Sequence, residues 1–255
     1  WEDPPRTLGH NTALSWDLFP IGSRQPYTYI EIITCDGQRL RYERISKGTG
    51  YADAVYEHRE TATPFLGSRF SWNGDGWDLK LRDGSLYLFP ESYYAKKPVD
   101  GALIGFRDAN GLALELQRRE RRNLKKIIAP DQHSITFEHD SSGRVIKAED
   151  DQKRKVEYRY DHGGRLAEVQ GLRSRLRLKY DNTYLTAIEE NGRQSAEFDY
   201  EDKNRPSRIT LPDGRSFRIR YDYDPADKDR ITRAFVISPD SSVAEFNIKA
   251  IEQAR

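Results

Sequence analysis

The chain has 255 residues, a length for roughly one or two domains, and its 42 Lys+Arg against 41 Asp+Glu exclude a dedicated polyanion binder. No apolar run approaches the roughly 18 residues that a membrane-spanning helix needs, and the single Cys35 excludes an internal disulfide and fits a small hydrophobe on a strand. Hydrophobic residues make up 36% and charged residues 33%, while 15 Tyr, 10 Phe and 4 Trp supply much of the buriable surface; that suits sheets with one aromatic and one charged face better than thick cores.

The chain opens on Trp1 and not on Met, and is expected to be a fragment or a processed product. YTYIEIIT (27–34), CDGQ (35–38) and LRYERI (40–45) predict a hairpin, as do WDLKL (77–81), RDGS (82–85) and LYLFP (86–90). NGDGW (73–77) reads as a turn. Residues 1–100 are therefore expected to form an N-terminal β-hairpin region that leads into the rest of the sheet. RRERRNLKK (118–126) offers Arg118, Arg119, Arg121, Arg122, Lys125 and Lys126 to a phosphate, but Glu120 interrupts it and no aromatic interleaves. A solvated hairpin that deters edge pairing is the favoured reading.

From residue 101 to 255 one pattern recurs. ITFEHD (135–140), VEYRYD (156–161), LRLKYD (176–181), AEFDYE (196–201) and FRIRYD (217–222) share a ring followed by an acid, at steps of 21, 20, 20 and 21 residues. A fixed period in this range marks a repeat architecture. Each copy alternates with period 2, so Val156, Tyr158 and Tyr160 fall on one face and Glu157 and Arg159 on the other. A slip of one residue would reverse every ring.

Turn chemistry separates the copies: SSGR (141–144) and HGGR (162–165), with KNRP (203–206) placing Asn204 where the others have glycine. A second apolar segment follows, Leu166 with Val169, Leu185 with Ile188 and Pro206 with Ile209. That three-residue spacing is not clean alternation and predicts a bulge. Asn191-Gly192 or Asp213-Gly214 then closes the unit. The structural repeat positions are His139, Asp140, Gly143 and Arg144; Tyr158, Tyr160, Asp161, Gly164, Arg165 and Leu166; Leu178, Tyr180 and Asp181; Phe198, Tyr200 and Glu201; and Ile219, Tyr221 and Asp222. FVISPD (235–240) and VAEFNI (243–248) predict one more hairpin. No amphipathic helix stands out, and the fold class is all-β, built of antiparallel hairpin repeats.

These residues resemble the RHS or YD-repeat proteins, whose repeat has a Y-D ending, a G-R-L start and a step of this length. GWDLKLRDGSLYLFPE (76–91), GALIGFRDANG (101–111) and NLKKIIAPDQHSITFEHD (123–140) are similar to the segment that precedes the repeats in bacterial members. The resemblance covers residues 68–222. His139 for Tyr, and Tyr184 and Asn204 for Gly, depart from the motif. The resemblance implies a sheet spiralling into a hollow shell, which in bacterial relatives encloses a C-terminal toxin and in animal teneurins belongs to an adhesion receptor. The D-P-x-G-L-type motif near the family's autoproteolysis site has no counterpart here, since DYDP (222–225) is not followed by Gly-Leu. Cleavage and cargo are therefore not carried over.

Sharper chemistry finds little support. The tyrosine ladder could be a glycan or peptide platform, but wall packing across strands is favoured. Asp222, Asp224, Asp227 and Asp229 could hold Ca²⁺, yet the stretch lacks the glycine and terminal Glu of an EF-hand loop and reads as a polar insertion. His10, His58, His133, His139 and His162 are scattered, and there is no G-x-S-x-G or Walker loop. No catalytic, cofactor or metal site is expected. The leading expectation is a structural shell segment of a secreted or surface-displayed bacterial protein. Its partners are the remainder of the same polypeptide, further repeats and a C-terminal effector, with no nucleic acid and no membrane span. The alternatives are an adhesion module that binds glycan or protein and, by analogy of fold alone, a polysaccharide-cleaving enzyme.

Overall fold

Alternation of apolar with charged residues makes strands of nearly all the regular structure. The computed structural model describes residues 7–10, 12–23, 26–61, 63–94, 97–119, 123–201 and 205–247. Its sole helical element among them is a single 3-10 turn at Pro98–Gly101. The chain divides into two compact units, Trp1–Leu166 and Ala167–Arg255.

The first unit holds β1 (Phe19–Gly22), β2 (Tyr29–Ile33), β3 (Arg39–Arg44), β4 (Val55–Glu57), β5 (Arg69–Trp72), β6 (Gly76–Lys80), β7 (Leu86–Pro90), β8 (Gly105–Arg107), β9 (Ala113–Arg119), β10 (Asn123–Ile128), β11 (Ser134–His139), β12 (Val145–Asp150) and β13 (Lys155–Tyr160). Each pairs antiparallel with the next in sequence. The two N-terminal hairpins predicted from sequence are β2–β3 and β6–β7. Cys35 lies in the turn between β2 and β3, half-buried, and not on a strand.

The charged composition points away from a thick core, yet this unit has one. Ile32, Tyr42, Tyr56, Phe70, Leu79, Phe89, Leu103 and Leu124 are buried to 2% exposure or less and cluster together. The physical reason is a strap. Residues 7–10 and 12–18 precede the first strand and lie across strands far away in sequence. The Val145 N–H donates to the Thr7 carbonyl at 2.8 Å, the His10 N–H to Gly164 at 3.1 Å, and the Leu103 N–H to Leu18 at 2.9 Å. Leu8 and Leu18 join the buried cluster, with Leu14 and Trp16 packed against it. A sheet face that would otherwise meet water is thereby dehydrated, which for side chains of this size stabilises by about 1.5–3 kcal/mol each.

The second unit holds β14 (Leu166–Gln170), whose first residue closes the preceding unit, then β15 (Arg175–Asp181), β16 (Tyr184–Glu190), β17 (Arg193–Tyr200), β18 (Pro206–Thr210), β19 (Ser216–Asp224), β20 (Asp227–Ile237) and β21 (Val243–Asn247). It too is an antiparallel meander. The faces follow the alternation: Arg177, Lys179, Arg218 and Arg220 are exposed, while Leu176, Leu178, Tyr180, Phe217, Ile219 and Tyr221 are half-buried. The stretch around Asp222–Asp229 is a long hairpin extension of β19 and β20 closed at Asp224–Asp227, and not an insertion between repeats. Asp222 pairs with Arg233 at 2.6 Å and Asp224 with Arg230 at 3.6 Å.

Candidate functional site

In the first two copies the acid of the repeat is a turn clamp, whereas in the fifth Asp222 lies within β19 and pairs across it with Arg233. Asp140 Oδ1 accepts the N–H of Ser142 and of Arg144, both at 2.9 Å, and its Oδ2 accepts the Arg144 guanidinium at 2.7–2.8 Å. Asp161 repeats this with Arg165, at 2.9 Å to the backbone N–H and 2.6 Å to the guanidinium. Burial alone would raise these two carboxyls. The arginine backbone N–H and guanidinium outweigh it and hold both below the usual carboxylate range. Gly143 (φ 82°) and Gly164 (φ 76°) take the left-handed position that lets the arginine double back. The Y-D-x-x-G-R order is thus the recipe for one closed turn.

The variants follow from chemistry. Asp181 closes a two-residue turn in which Asn182 takes φ 50°, Tyr184 pairs directly with Asp181, and no arginine stands four residues on. Glu201, one methylene longer, is 3.8 Å from Arg205; Asn204 lies outside the described residues.

The ring of each repeat serves the bulge. In β12 Ile146 is the extra residue, in β16 Thr186, and in β18 Ser207. In β16 and β18 the three-residue apolar spacing is therefore a bulge. Each bulge frees a carbonyl, and a tyrosine hydroxyl from the following strand donates to it. Tyr160 reaches the Val145 carbonyl at 2.5 Å, Tyr200 reaches Leu185 at 2.9 Å, and Tyr221 reaches Pro206 at 2.9 Å. In every case the acceptor lies 15 residues back. Burial raises the Tyr160, Tyr200 and Tyr221 phenols, so these hydroxyls stay protonated donors at neutral pH.

One residue that sequence reasoning placed in a solvated basic hairpin belongs to this series. β10 carries the same bulge, at Lys125, and Leu124 pairs there with Arg118. Arg118 Nε donates to the Leu103 carbonyl, again 15 residues back, at 2.7 Å, and its Nη2 reaches the Trp16 carbonyl of the strap at 2.9 Å. Burial lowers its pKa, opposed by the Asp17 carboxylate. Arg118 thus fills the tyrosine position of a sixth, degenerate unit, and its hairpin lies within the sheet with a paired strand on either side. Glu120, Arg121 and Arg122 lie outside the described residues. His139, in the same position of the first recognised copy, has a buried Nε2 with no hydrogen bond, and burial lowers its pKa. Tyr158 shares the face of Tyr160 without a hydroxyl bond, Leu166 is buried, and Phe198 and Tyr180 are half-buried.

Chemistry-bearing clusters are few. Among the described residues no group of three His, Cys, Asp or Glu is placed to hold a metal. No helix among them is long and apolar enough to cross a membrane. His58 is fully buried, with Nδ1 2.6 Å from the Arg41 carbonyl and Nε2 accepting the Thr61 N–H at 3.3 Å.

A broad concavity lies elsewhere, in the N-terminal hairpins. A cavity of about 920 Å³ is walled by Tyr27, Tyr51, Trp72, Trp77, Tyr93 and Tyr94. The rings form a row: Tyr27–Tyr51 centroids are 6.0 Å apart, Tyr51–Trp72 5.2 Å edge-on, and Trp72–Trp77 5.3 Å edge-on. Trp77 then stacks on Phe70 at 5.2 Å, which anchors the row in the core. The wall bearing Tyr51 is held by Arg44, whose guanidinium donates to the carbonyls of Tyr27, Lys47 and Gly50 and meets Asp53 at 3.0 Å.

Comparison with known proteins agrees with the repeat geometry. Residues 109–251, more than half of the chain, match the teneurin YD-shell family. The chain belongs to this family. The matched span begins just ahead of β9, so the YD-shell region takes in the degenerate unit of Arg118. No curated protein matches the chain. Among solved structures, TcdB2-TccC3 is similar at 15% identity and a TM-score of 0.38, over 87% of this chain and 14% of that one. TcdB2-TccC3 without its hypervariable C-terminal region is similar at 14% identity and a TM-score of 0.39, over 89% and 14%. The chain therefore spans about one seventh of the length of these solved chains.

Proposed function

We propose that this YD-shell chain is a wall segment of a larger secreted or surface-displayed bacterial RHS-type protein, and that the wall encloses or delivers a C-terminal effector. The observation that carries the reading is the recurring bond from ring to bulge carbonyl. In β13, β17 and β19 it ties the strand to the one before it by a contact that needs no active site, no cofactor and no ligand. Repeat units of this kind bury their apolar side only against neighbours, and a terminal unit must be capped or continued. β21 supports continuation. Among the described residues it pairs only with β20, and Val243 and Phe246 on it are 59% and 53% exposed. An apolar strand edge of that kind is an aggregation hazard until another strand covers it.

Two measurements test the proposal. The reading frame beyond Arg255 is expected to give further units at the same step and then a domain without them; a stop codon there overturns the reading. In the protein encoded by that frame, the C-terminal domain is expected to resist added protease until the wall is unfolded by urea. Digestion at the rate of the isolated domain would show that nothing is enclosed.

A further inference from the structure

The repeat tyrosines are poor candidates for recognition, because Tyr160, Tyr200 and Tyr221 spend their hydroxyls on backbone carbonyls. Apart from Phe246 on β21, the exposed large aromatics among the described residues, Tyr51, Tyr93 and Tyr94, lie in the first unit. Tyr51 is 48% exposed and Tyr94 85% exposed, both on the wall of the 920 Å³ cavity. Neither hydroxyl makes a hydrogen bond to any described residue, nor does the Trp72 indole N–H. Leaving such rings in water forgoes the burial energy that large aromatics otherwise contribute, so the patch asks for an occupant.

We propose that this cavity is a binding site for a neutral oligosaccharide. Three observations favour that class. The volume lies at the upper end of the roughly 300–1,000 Å³ range of small-ligand sites, too large for a single sugar ring to fill. The rings meet nearly edge to face, at 84° for Tyr51–Trp72 and 84° for Tyr93–Tyr94, so they present apolar faces and polar rims side by side. A pyranose has the same division: a face of C–H bonds that packs on an aromatic face, and an equator of hydroxyls that exchanges hydrogen bonds with phenol and indole groups. Finally, the wall is preformed. Arg44, with its side chain 8% exposed, fixes the loop of Tyr51 through three carbonyls and Asp53, which lowers the ordering cost of binding. The inference is independent of the wall-segment reading.

The test uses the full chain, with tryptophan emission as the readout. Trp72 lies in the cavity wall and Trp77 touches it edge-on, so occupancy is expected to change their emission. The probes are neutral α- and β-linked oligosaccharides of glucose, galactose and N-acetylglucosamine, with a sulfated oligosaccharide and a proline-rich peptide beside them. At least one neutral probe is expected to bind with a dissociation constant below about 1 mM. Tyr51→Ala and Tyr94→Ala are each expected to weaken it by about 3–10-fold, with the melting temperature unchanged for Tyr94→Ala, 85% exposed, and lowered slightly for Tyr51→Ala, which gives up its ring contacts with Tyr27 and Trp72. Tyr200→Phe is expected to leave it intact. The proposal is overturned if no neutral probe responds at millimolar concentration, if only the sulfated probe or the peptide binds, or if binding survives the Tyr51→Ala/Tyr94→Ala double variant.

Discussion

Tyr160→Phe removes one oxygen atom and leaves the ring, so it isolates the bond to the bulge. The acceptor is the carbonyl of Val145, a residue with no exposed surface whose own N–H is already committed to Thr7 of the strap. Losing the hydrogen bond costs a net of about 0.5–1.5 kcal/mol, and leaving a dry carbonyl without its partner adds about 1 kcal/mol or more. A total near 2 kcal/mol should lower the melting temperature by about 4–8 °C for a unit of this size. Tyr158→Phe is the internal control. It lies on the same strand and face, but its hydroxyl has no hydrogen bond, and it should cost less than about 0.5 kcal/mol. Tyr200→Phe should fall between them, at about 0.5–1 kcal/mol, because Leu185 at its bulge is only half-buried and water can replace the lost donor. The assay is a urea or thermal melt followed by tryptophan emission and by far-ultraviolet circular dichroism. All four tryptophans, at positions 1, 16, 72 and 77, belong to the first unit, so emission reports Tyr160→Phe and not Tyr200→Phe. Equal shifts for Tyr158→Phe and Tyr160→Phe would refute the role assigned to the hydroxyl.

Two further outcomes follow from the turns and the strap. The Asp161 carboxyl is depressed in the folded chain, so its stabilisation is fully present above the unfolded value of about 3.9 and is lost as pH falls through the lower folded value. Asp161→Asn should therefore cost about 1–2 kcal/mol at pH 7, and the gap from the parent chain should close below about pH 4; a gap that persists in acid melts would contradict the clamp. Gly9→Ala would place a methyl group 2.4 Å from the Gly164 carbonyl oxygen at a φ of +87°, whereas at Gly214 (φ +81°) the same change meets open space. The first should cost more than about 2 kcal/mol and the second about 1 kcal/mol, and equal losses in a denaturant melt would mean that the strap is not seated on that turn.

The repeating half of the fold was legible because its two marks are local. A ring and an acid side by side, followed three residues later by glycine, specify a strand end and a clamped turn whatever the rest of the chain does. The bulges of β16 and β18 were legible too, from apolar residues three apart. Arg118 was missed because it was read for its charge. The signal that could have found it is positional: it stands 21 residues before His139, and Leu103, Leu124 and Val145 also recur at steps of 21. The strap was missed for a deeper reason. Nothing in TLGH or NTALSWDL has a period, and its place is set by carbonyls and amides more than eighty residues away. The aromatic cavity was missed because Tyr51, Trp72 and Tyr93 lie upstream of the recognised copies, in turns and strand ends without the ring-acid pair, although they too recur at a step of 21 residues.

The strap also constrains the order of events during synthesis. The hairpins can close one after another as they leave the ribosome, but Thr7 and His10 must wait for Val145 and Gly164. At about 5–20 residues per second that delay is roughly 7–30 s. During it Leu8, Leu14, Trp16 and Leu18 have no seat, and the aromatic interior they will seal stays wet. The first unit is therefore sealed only once β12 and the turn at Gly164 have been made.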